Sequence, residues 1–368
     1  MSGIKSIYIE TFRGIRNLKL ENLAPINILT GDNNCGKTSI LEVLQSLKLI
    51  DSFRVWRDLL RTGMYFYRGF SYYEGFYDLF DINLEDKKIK YKVQLEEDNI
   101  DVLICAQESE EEIDVNEKEE ILGTSNMIHE NNSEFERTEL LSRLDLGLFI
   151  NGEEKDNLKL YEGQRRFPLN RMTPDRSSLA YNVVYISPVR HAEGVLFLNN
   201  VLNDPELYEE MIEILKEYDE GIISINYDTQ SEARFSRGIY KILSKSTKKA
   251  LPLNVYGDGM KKAILLMSAV VKAKDGILLL DEFETAIHTS AMNKTFRWIL
   301  KTCRKLNVQV FLTSHSQEAI DKVLKCDSEI QKDIALYTLY KEQEETFVRR
   351  LSGKEAVEAQ DNMGLELR

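Results

Sequence analysis

The sequence predicts an α/β fold with a mixed or parallel sheet core, an antiparallel β subdomain and a helical lobe. Three observations lead there. First, Gly31-Asp32-Asn33-Asn34-Cys35-Gly36-Lys37-Thr38-Ser39 reads G-x-x-x-x-G-K-T-S, the loop that cradles phosphates. It lies between an apolar run at 26–30 and an amphipathic one at 40–44, the strand–loop–helix setting that the motif requires. Second, Ile277-Leu278-Leu279-Leu280 precedes Asp281-Glu282. Strands buried on both faces read as such continuous apolar runs. The acids then emerge at the strand's carboxyl end, where open α/β sheets bind ligands. Third, Val308-Gln309-Val310-Phe311-Leu312-Thr313 is another apolar strand, ending in Ser314-His315-Ser316.

The remaining elements follow in chain order. Residues 4–10 and 15–21 alternate as a β-hairpin turning at Arg13-Gly14, and 26–30 form the strand before the loop. Residues 42–80 read as helix and loop, with Tyr65, Phe66, Tyr67, Phe70, Tyr72, Tyr73, Phe76 and Tyr77 interleaved with Arg54, Arg57, Arg61 and Arg68. Residues 87–95 alternate like a strand. The acidic block 108–120 and the polar stretch 126–132 read as part of an exposed, partly mobile insertion over roughly 97–145. Val183-Val184-Tyr185-Ile186 returns the chain to the core as a buried strand; 206–218 have helical spacing. Residues 222–227 and 237–243 read as pieces of a second sheet. Tyr256-Gly257-Asp258-Gly259 opens an apolar helix at 261–271, and 295–306 and 317–324 are helix-like. A hairpin (334–340, 346–351) and a tail end the chain.

Composition narrows the classes. At 368 residues the chain holds one large domain or two ordinary ones. Hydrophobic content of 43% suffices for a sizeable core. A net charge of −13 argues against coating nucleic acid with the whole surface, while leaving room for a local basic groove. Cys35, Cys105, Cys303 and Cys326 form no C-x-x-C pair, which suggests reduced thiols in a cytoplasmic protein rather than disulfides or a zinc site. No run is long enough to span a bilayer and no signal-peptide pattern opens the chain, so no membrane association is expected.

The residue types at these positions suit nucleotide chemistry. The loop amides around Gly31, Asn33, Asn34, Gly36 and Ser39, with the helix N-terminus behind them, present unpaired N–H groups to phosphate. Lys37 would reach the β- and γ-phosphates of ATP, and the Thr38 hydroxyl would ligate Mg²⁺. Asp281 would complete the Mg²⁺ shell. Glu282 is placed to polarise the attacking water as general base. His315, just past a third strand end, would reach the γ-phosphate. Gly257 and Gly259 before a helix can expose amides to an anion.

This order of motifs resembles the ABC-type ATPase heads, P-loop NTPases that include SMC, RecF and the OLD-type ATPases. Glu10-Thr11-Phe12-Arg13-Gly14-Ile15 is similar to the group's "ENFRGI" opening, with Thr11 for the usual Asn. Residues 31–42 resemble "GxNNxGKTSxLE", residues 281–288 resemble "DEPExxLH", and Thr313-Ser314-His315-Ser316 matches "TSHS". The closest likeness is to stand-alone OLD-like, AAA-type ATPases. The resemblance is motif-grade in 4–42 and 253–318.

The resemblance implies that two subunits sandwich two nucleotides, as a homodimer or higher oligomer. Gly257, Asp258 and Gly259 would contact the γ-phosphate bound by the other subunit, Glu282 would be the base and His315 the switch residue. The usual signature serine is replaced by Tyr256-Gly257-Asp258-Gly259, and no glutamine between the lobes can be assigned, Gln45 lying too close to the P-loop. Both departures imply hydrolysis that is slow or conditional on a partner or DNA. The expected organisation is residues 1–96 and 181–325 as the two parts of the ATPase head, 97–180 as an insertion and return segment, and 326–368 as a hairpin and tail. About fifty residues after His315 are too few for a Toprim nuclease. The chain therefore resembles the ATPase subunits of two-gene antiphage systems of the PARIS and Septu types, in which a separate Toprim or HNH nuclease is the effector. The alternatives are a RecF-like DNA repair ATPase that clamps DNA, and a nucleotide-gated scaffold with little turnover. Residues 54–73 suit lobe core more than base stacking. Arg165, Arg166, Arg171, Arg176 and Arg190 would face either an acidic partner or DNA.

Overall fold

The computed structural model describes residues 3–61, 71–122, 138–168, 180–188, 197–228, 239–247, 249–286, 289–342 and 345–363. Alternation at the amino end closes as the expected hairpin. Strands β1 (Ser6–Phe12) and β2 (Ile15–Leu20) pair antiparallel, with Phe12 opposite Ile15. Then follow β3 (Ile26–Gly31), α1 (Lys37–Ser46), α2 (Phe53–Asp58) and α3 (Tyr72–Tyr77). Strand β4 (Lys88–Gln94) leads to β5 (Asn99–Asp114), α4 (Val115–Leu122), β6 (Thr138–Ile150) and β7 (Glu153–Tyr161). The chain returns through β8 (Val183–Ile186), α5 (Leu198–Leu202), α6 (Pro205–Leu215), β9 (Ile222–Asp228), β10 (Ile239–Ser244) and β11 (Leu251–Pro252). It ends in α7 (Asp258–Lys272), β12 (Ile277–Leu280), α8 (Thr289–Lys305), β13 (Gln309–Thr313), α9 (Gln317–Lys325), α10 (Ser328–Gln331), β14 (Ile334–Glu342), β15 (Glu345–Ser352) and α11 (Gly353–Met363).

The core sheet has the order β15-β14-β3-β13-β12-β8. Every neighbouring pair in it is parallel except β14 with β15. Because side chains alternate across a strand, this sheet divides two apolar cores. Ile26, Ile28, Leu278, Leu280, Val310 and Leu312 belong to the core shared with α7, α8 and α9. Leu29, Ile277, Leu279 and Phe311 belong to the core shared with α1, α2 and the antiparallel sheet β2-β1-β4-β5-β6-β7. A third sheet, β11-β10-β9, completes the mixed α/β architecture.

Three expectations change. The acidic block is not a loose insertion. Residues 108–112 lie within β5, which pairs with β6 from Val102↔Ile150 to Asp114↔Thr138. Acids stand on both faces of this stretch, Glu108 opposite buried Leu144 and Glu111 opposite Leu141, so it has no period-2 pattern of its own and is held by its pairing to β6. Arg143 bridges Glu111 at 2.6 Å and Asp145 at 2.8 Å across one face. The polar stretch 126–132 lies outside the described residues. Second, the C-terminal hairpin forms where expected, as β14 and β15, but it is built into the core sheet. Strand β14 pairs with β3 from Ile334↔Ile26 to Leu339↔Gly31, beside the phosphate loop. Third, the tail is helical as far as Met363; residues 364–368 lie outside the described residues.

Of the aromatic stretch, Phe53, Trp56 and Phe76 are fully buried, and Phe12 and Trp56 meet edge to face at 5.9 Å. That is lobe core, as expected. Tyr65, Phe66, Tyr67, Arg68 and Phe70, together with Arg171, Arg176 and Arg190, lie outside the described residues. The cysteines are free. Among the described residues no helix is long and apolar enough to cross a membrane.

Candidate functional site

The phosphate loop leaves β3 at Gly31, whose φ is 130°. A Cβ there would sit 2.0 Å from the Leu339 carbonyl oxygen on β14. Asn34 (φ 63°) and Gly36 (φ 99°) also have positive φ, and such alternation makes the concave run of amides that anions occupy. Gly36 is the N-cap of α1 and supplies no side-chain cap, so the first amides of the helix keep their donors for a ligand. Asp32, Asn33 and Asn34 are exposed, while Lys37 and Ser39 are buried. The Lys37 ammonium donates to the carbonyl oxygens of Gly31 (2.8 Å) and Asp32 (2.7 Å). It lies 3.6 Å from Cys35 Sγ. The buried cation is thus satisfied by the loop it belongs to.

The acids sit where parallel register puts them. Strands β3, β13, β12 and β8 end side by side, since Leu280 pairs with both Leu312 and Ile186. Asp281 is 3% exposed, and three hydroxyls converge on its carboxylate. Thr38 donates to Oδ1 at 3.3 Å, Thr313 to Oδ1 at 2.5 Å and Tyr185 to Oδ2 at 3.1 Å. Burial, then the charge of Asp281, pushes the Tyr185 phenol far above its ordinary range, so it stays a neutral donor. Glu282 is half-buried, with a left-handed backbone at φ 47°. Its N–H donates to Thr313 Oγ1 at 2.8 Å.

On α1, the buried Glu42 carboxylate holds Arg13 at 3.1 Å and Arg61 at 2.9 Å. Arg61 also donates to Ser39 Oγ at 3.2 Å. Burial lowers the Arg13 guanidinium, and Glu42 only partly offsets this. For Arg61 burial again pulls down, but Glu42, Tyr185 and Asp281 outweigh it and the guanidinium is raised.

The donors present fit Mg²⁺. Thr38 Oγ1 and Asp281 Oδ1 are two hard oxygens 3.3 Å apart. Mg²⁺ takes one or two such protein ligands and fills its octahedron with waters and phosphate oxygens. Among the described residues no group of three His, Cys, Asp or Glu is assembled for a metal.

His315 follows the same strand end and is exposed. Its backbone N–H donates to Glu284 Oε1 at 2.8 Å. Lys37, Thr38, Asp281, Glu282 and His315 thus meet at one end of the core sheet. Gly257, Asp258 and Gly259 do not join them. No hydrogen bond among the described residues links this turn to the phosphate loop. Gly257 caps α7 with open space on its Cβ side, a Cβ on Gly259 would lie 3.4 Å from Tyr218, and the exposed Asp258 pairs with Lys261 at 2.6 Å. Ile287 and His288, quoted in the acidic motif, lie outside the described residues.

Sequence reasoning did not single out Tyr185, Thr313 or the Arg13–Glu42–Arg61 group as site residues. A signal existed for Tyr185: a hydroxyl inside an otherwise aliphatic strand needs a buried partner.

The family model described as "AAA domain, putative AbiEii toxin, Type IV TA system" matches residues 26–321. A protein of Helicobacter pylori named "ATP/GTP phosphatase" is 25% identical over 91% of this chain and 90% of its own length. Among solved structures, an Smc head domain with an extended coiled coil, bound to the C-terminal domain of ScpA derived from Pyrococcus furiosus, is 12% identical. It covers 99% of this chain and 100% of that one, with a TM-score of 0.49. The recombination mediator protein RecF with ATP is 14% identical, covers 95% of this chain and 99% of that one, and has a TM-score of 0.43.

Proposed function

The chain belongs to this AAA-domain family, and on that premise we propose that it binds ATP with Mg²⁺ and hydrolyses it to ADP and phosphate. The observation that carries the reading is the 3.3 Å bond from Thr38 to Asp281. It joins the phosphate loop to a buried carboxylate with a second acid, Glu282, next in the chain. Loop amides from Gly31 to Ser39 hold the phosphates, and Lys37 exchanges the carbonyls of Gly31 and Asp32 for β- and γ-oxygens. Thr38 and Asp281 hold Mg²⁺, which when bound neutralises charge developing on the phosphates. Glu282 takes a proton from the attacking water, and His315 reads the γ-phosphate. The "ATP/GTP phosphatase" name of the Helicobacter pylori relative supports the same chemistry.

The nucleotide is read as shared. Residues 257–259 present the open N-terminus of the 15-residue helix α7 with no side-chain cap, and a second subunit's γ-phosphate suits that position. Lys37→Ala should abolish binding of labelled ATP. Glu282→Gln should keep binding, lose turnover by about 10²–10⁴-fold and accumulate an ATP-dependent dimer in light scattering. Tight ATP binding by Lys37→Ala defeats the site, and a monomer under all conditions defeats the sandwich.

We read the biological role as the sensor or regulatory subunit of a bacterial antiphage complex whose effector is a separate Toprim or HNH nuclease. The family's description, which names a toxin of a Type IV TA system, supports a two-component setting. Purification from the native host tests this. A co-purifying nuclease supports it; DNA-stimulated ATPase activity without any protein partner supports a DNA-clamping role instead.

A further inference from the structure

We propose that Thr313 is a positioning residue that holds both acids of the site through a single hydroxyl; the inference rests on the ATPase reading above. Thr313 closes β13 and is 1% exposed. A hydroxyl carries one proton and two lone pairs. Here the proton is committed to Asp281 Oδ1 at 2.5 Å, and a lone pair accepts the Glu282 N–H at 2.8 Å. The first distance is that of a charge-assisted O–H···O⁻ bond. One group therefore orients the side chain of the metal-side acid and the backbone of the base.

The second bond bears on strain. Glu282 occupies the left-handed region at φ 47°, which a non-glycine residue keeps only where its surroundings over-determine it. Thr313 grips its N–H. On the other side, Thr285 donates both its backbone N–H and its hydroxyl to the Glu282 carbonyl, each at 2.9 Å. The turn carries the chain from buried Asp281 to half-buried Glu282 in one step. Without the grip of Thr313, the N-terminal half of the clamp is gone.

Two residues further along, the link runs the other way, with the His315 N–H donating to Glu284 Oε1 at 2.8 Å. The exits of β12 and β13 are thus cross-tied twice. Base and switch histidine belong to one unit, registered by Thr313. Tyr185 provides the internal comparison. It donates to Asp281 Oδ2 at 3.1 Å, so Tyr185→Phe removes a donor from Asp281 and leaves the Thr313–Glu282 bond in place.

The test compares the wild type, Thr313→Val, Thr313→Ser and Tyr185→Phe by two readouts. In amide hydrogen exchange, Thr313→Val should lose protection across residues 281–285, while Thr313→Ser keeps it. In steady-state ATP hydrolysis, Thr313→Val should lower kcat about 10- to 100-fold, the range for residues that orient metal ligands. It should also raise the Mg²⁺ needed for half-maximal rate, with KM for ATP unchanged. Thr313→Ser should recover most of the rate. Tyr185→Phe should raise the Mg²⁺ requirement while keeping wild-type exchange across residues 281–285, because the Thr313–Glu282 bond is untouched. The proposal is overturned by wild-type exchange in Thr313→Val, by equal impairment of the Val and Ser variants, or by Tyr185→Phe reproducing Thr313→Val in both readouts. If the Val variant does not fold, Thr313→Ala takes its place with the same expectations. A wild type that hydrolyses no ATP defeats the ATPase reading itself, and the exchange result then decides Thr313 alone.

Discussion

Two helices in this protein begin alike and end up in different circumstances. Both α1 and α7 are capped by a glycine that contributes no side-chain hydrogen bond, and both therefore offer bare amides to an anion. At α1 the surroundings close tightly. A Cβ on Gly36 would meet Ile15 Cγ1 at 2.8 Å, and one on Gly31 would meet Leu339 O at 2.0 Å. At α7 a Cβ on Gly257 would meet nothing within 4 Å. The same local device is a closely packed cradle at α1 and an open helix start at α7. Packing makes the difference: α1 is wedged between the β1–β2 hairpin and the core sheet, whereas the start of α7 faces outward.

Glycine-to-alanine substitutions grade this contrast. Gly31→Ala should be the most damaging. Its φ of 130° and the 2.0 Å approach of Leu339 O combine backbone strain with overpacking against a carbonyl that cannot move aside, about 3 kcal/mol or more. Urea unfolding should show the loss, and wild-type stability would mean that β14 and β3 are not packed as described. Gly36→Ala should cost less, about 1–2 kcal/mol. It too has positive φ, but the atoms it meets are the movable end of Ile15. Gly257→Ala should leave the unfolding midpoint within about 0.5 kcal/mol of wild type, since its φ of −62° suits alanine and its surroundings are open. Its effect should appear only in ATP-driven association, as a weaker dimer of Glu282→Gln in light scattering. An unfolding defect in Gly257→Ala would show that the turn is packed within its own chain.

Elements whose signal lies in adjacent residues were readable in advance. The hairpin at Arg13-Gly14, the loop Gly31 to Ser39 and the all-apolar run before Asp281 each declare themselves within ten residues, because turn chemistry and side-chain period act locally. Strand β5 escaped because acids on both of its faces look like solvated chain until β6 is paired beside it. The place of β14 escaped because six buried residues, 334–339, announce a central strand without naming its neighbour.

The sequence by itself determined the phosphate loop, the paired acids and the α/β class. Each depends on residue types at fixed short spacing, which hydrogen bonding and burial translate directly into structure. Only the tertiary structure decided how Asp281 is held. Thr38, Tyr185 and Thr313 reach it from 243, 96 and 32 residues away. Those distances collapse because parallel pairing brings the ends of β3, β8, β12 and β13 to one edge of the sheet. Register, a property of strands taken together, is what turns three scattered hydroxyls into one carboxylate's environment.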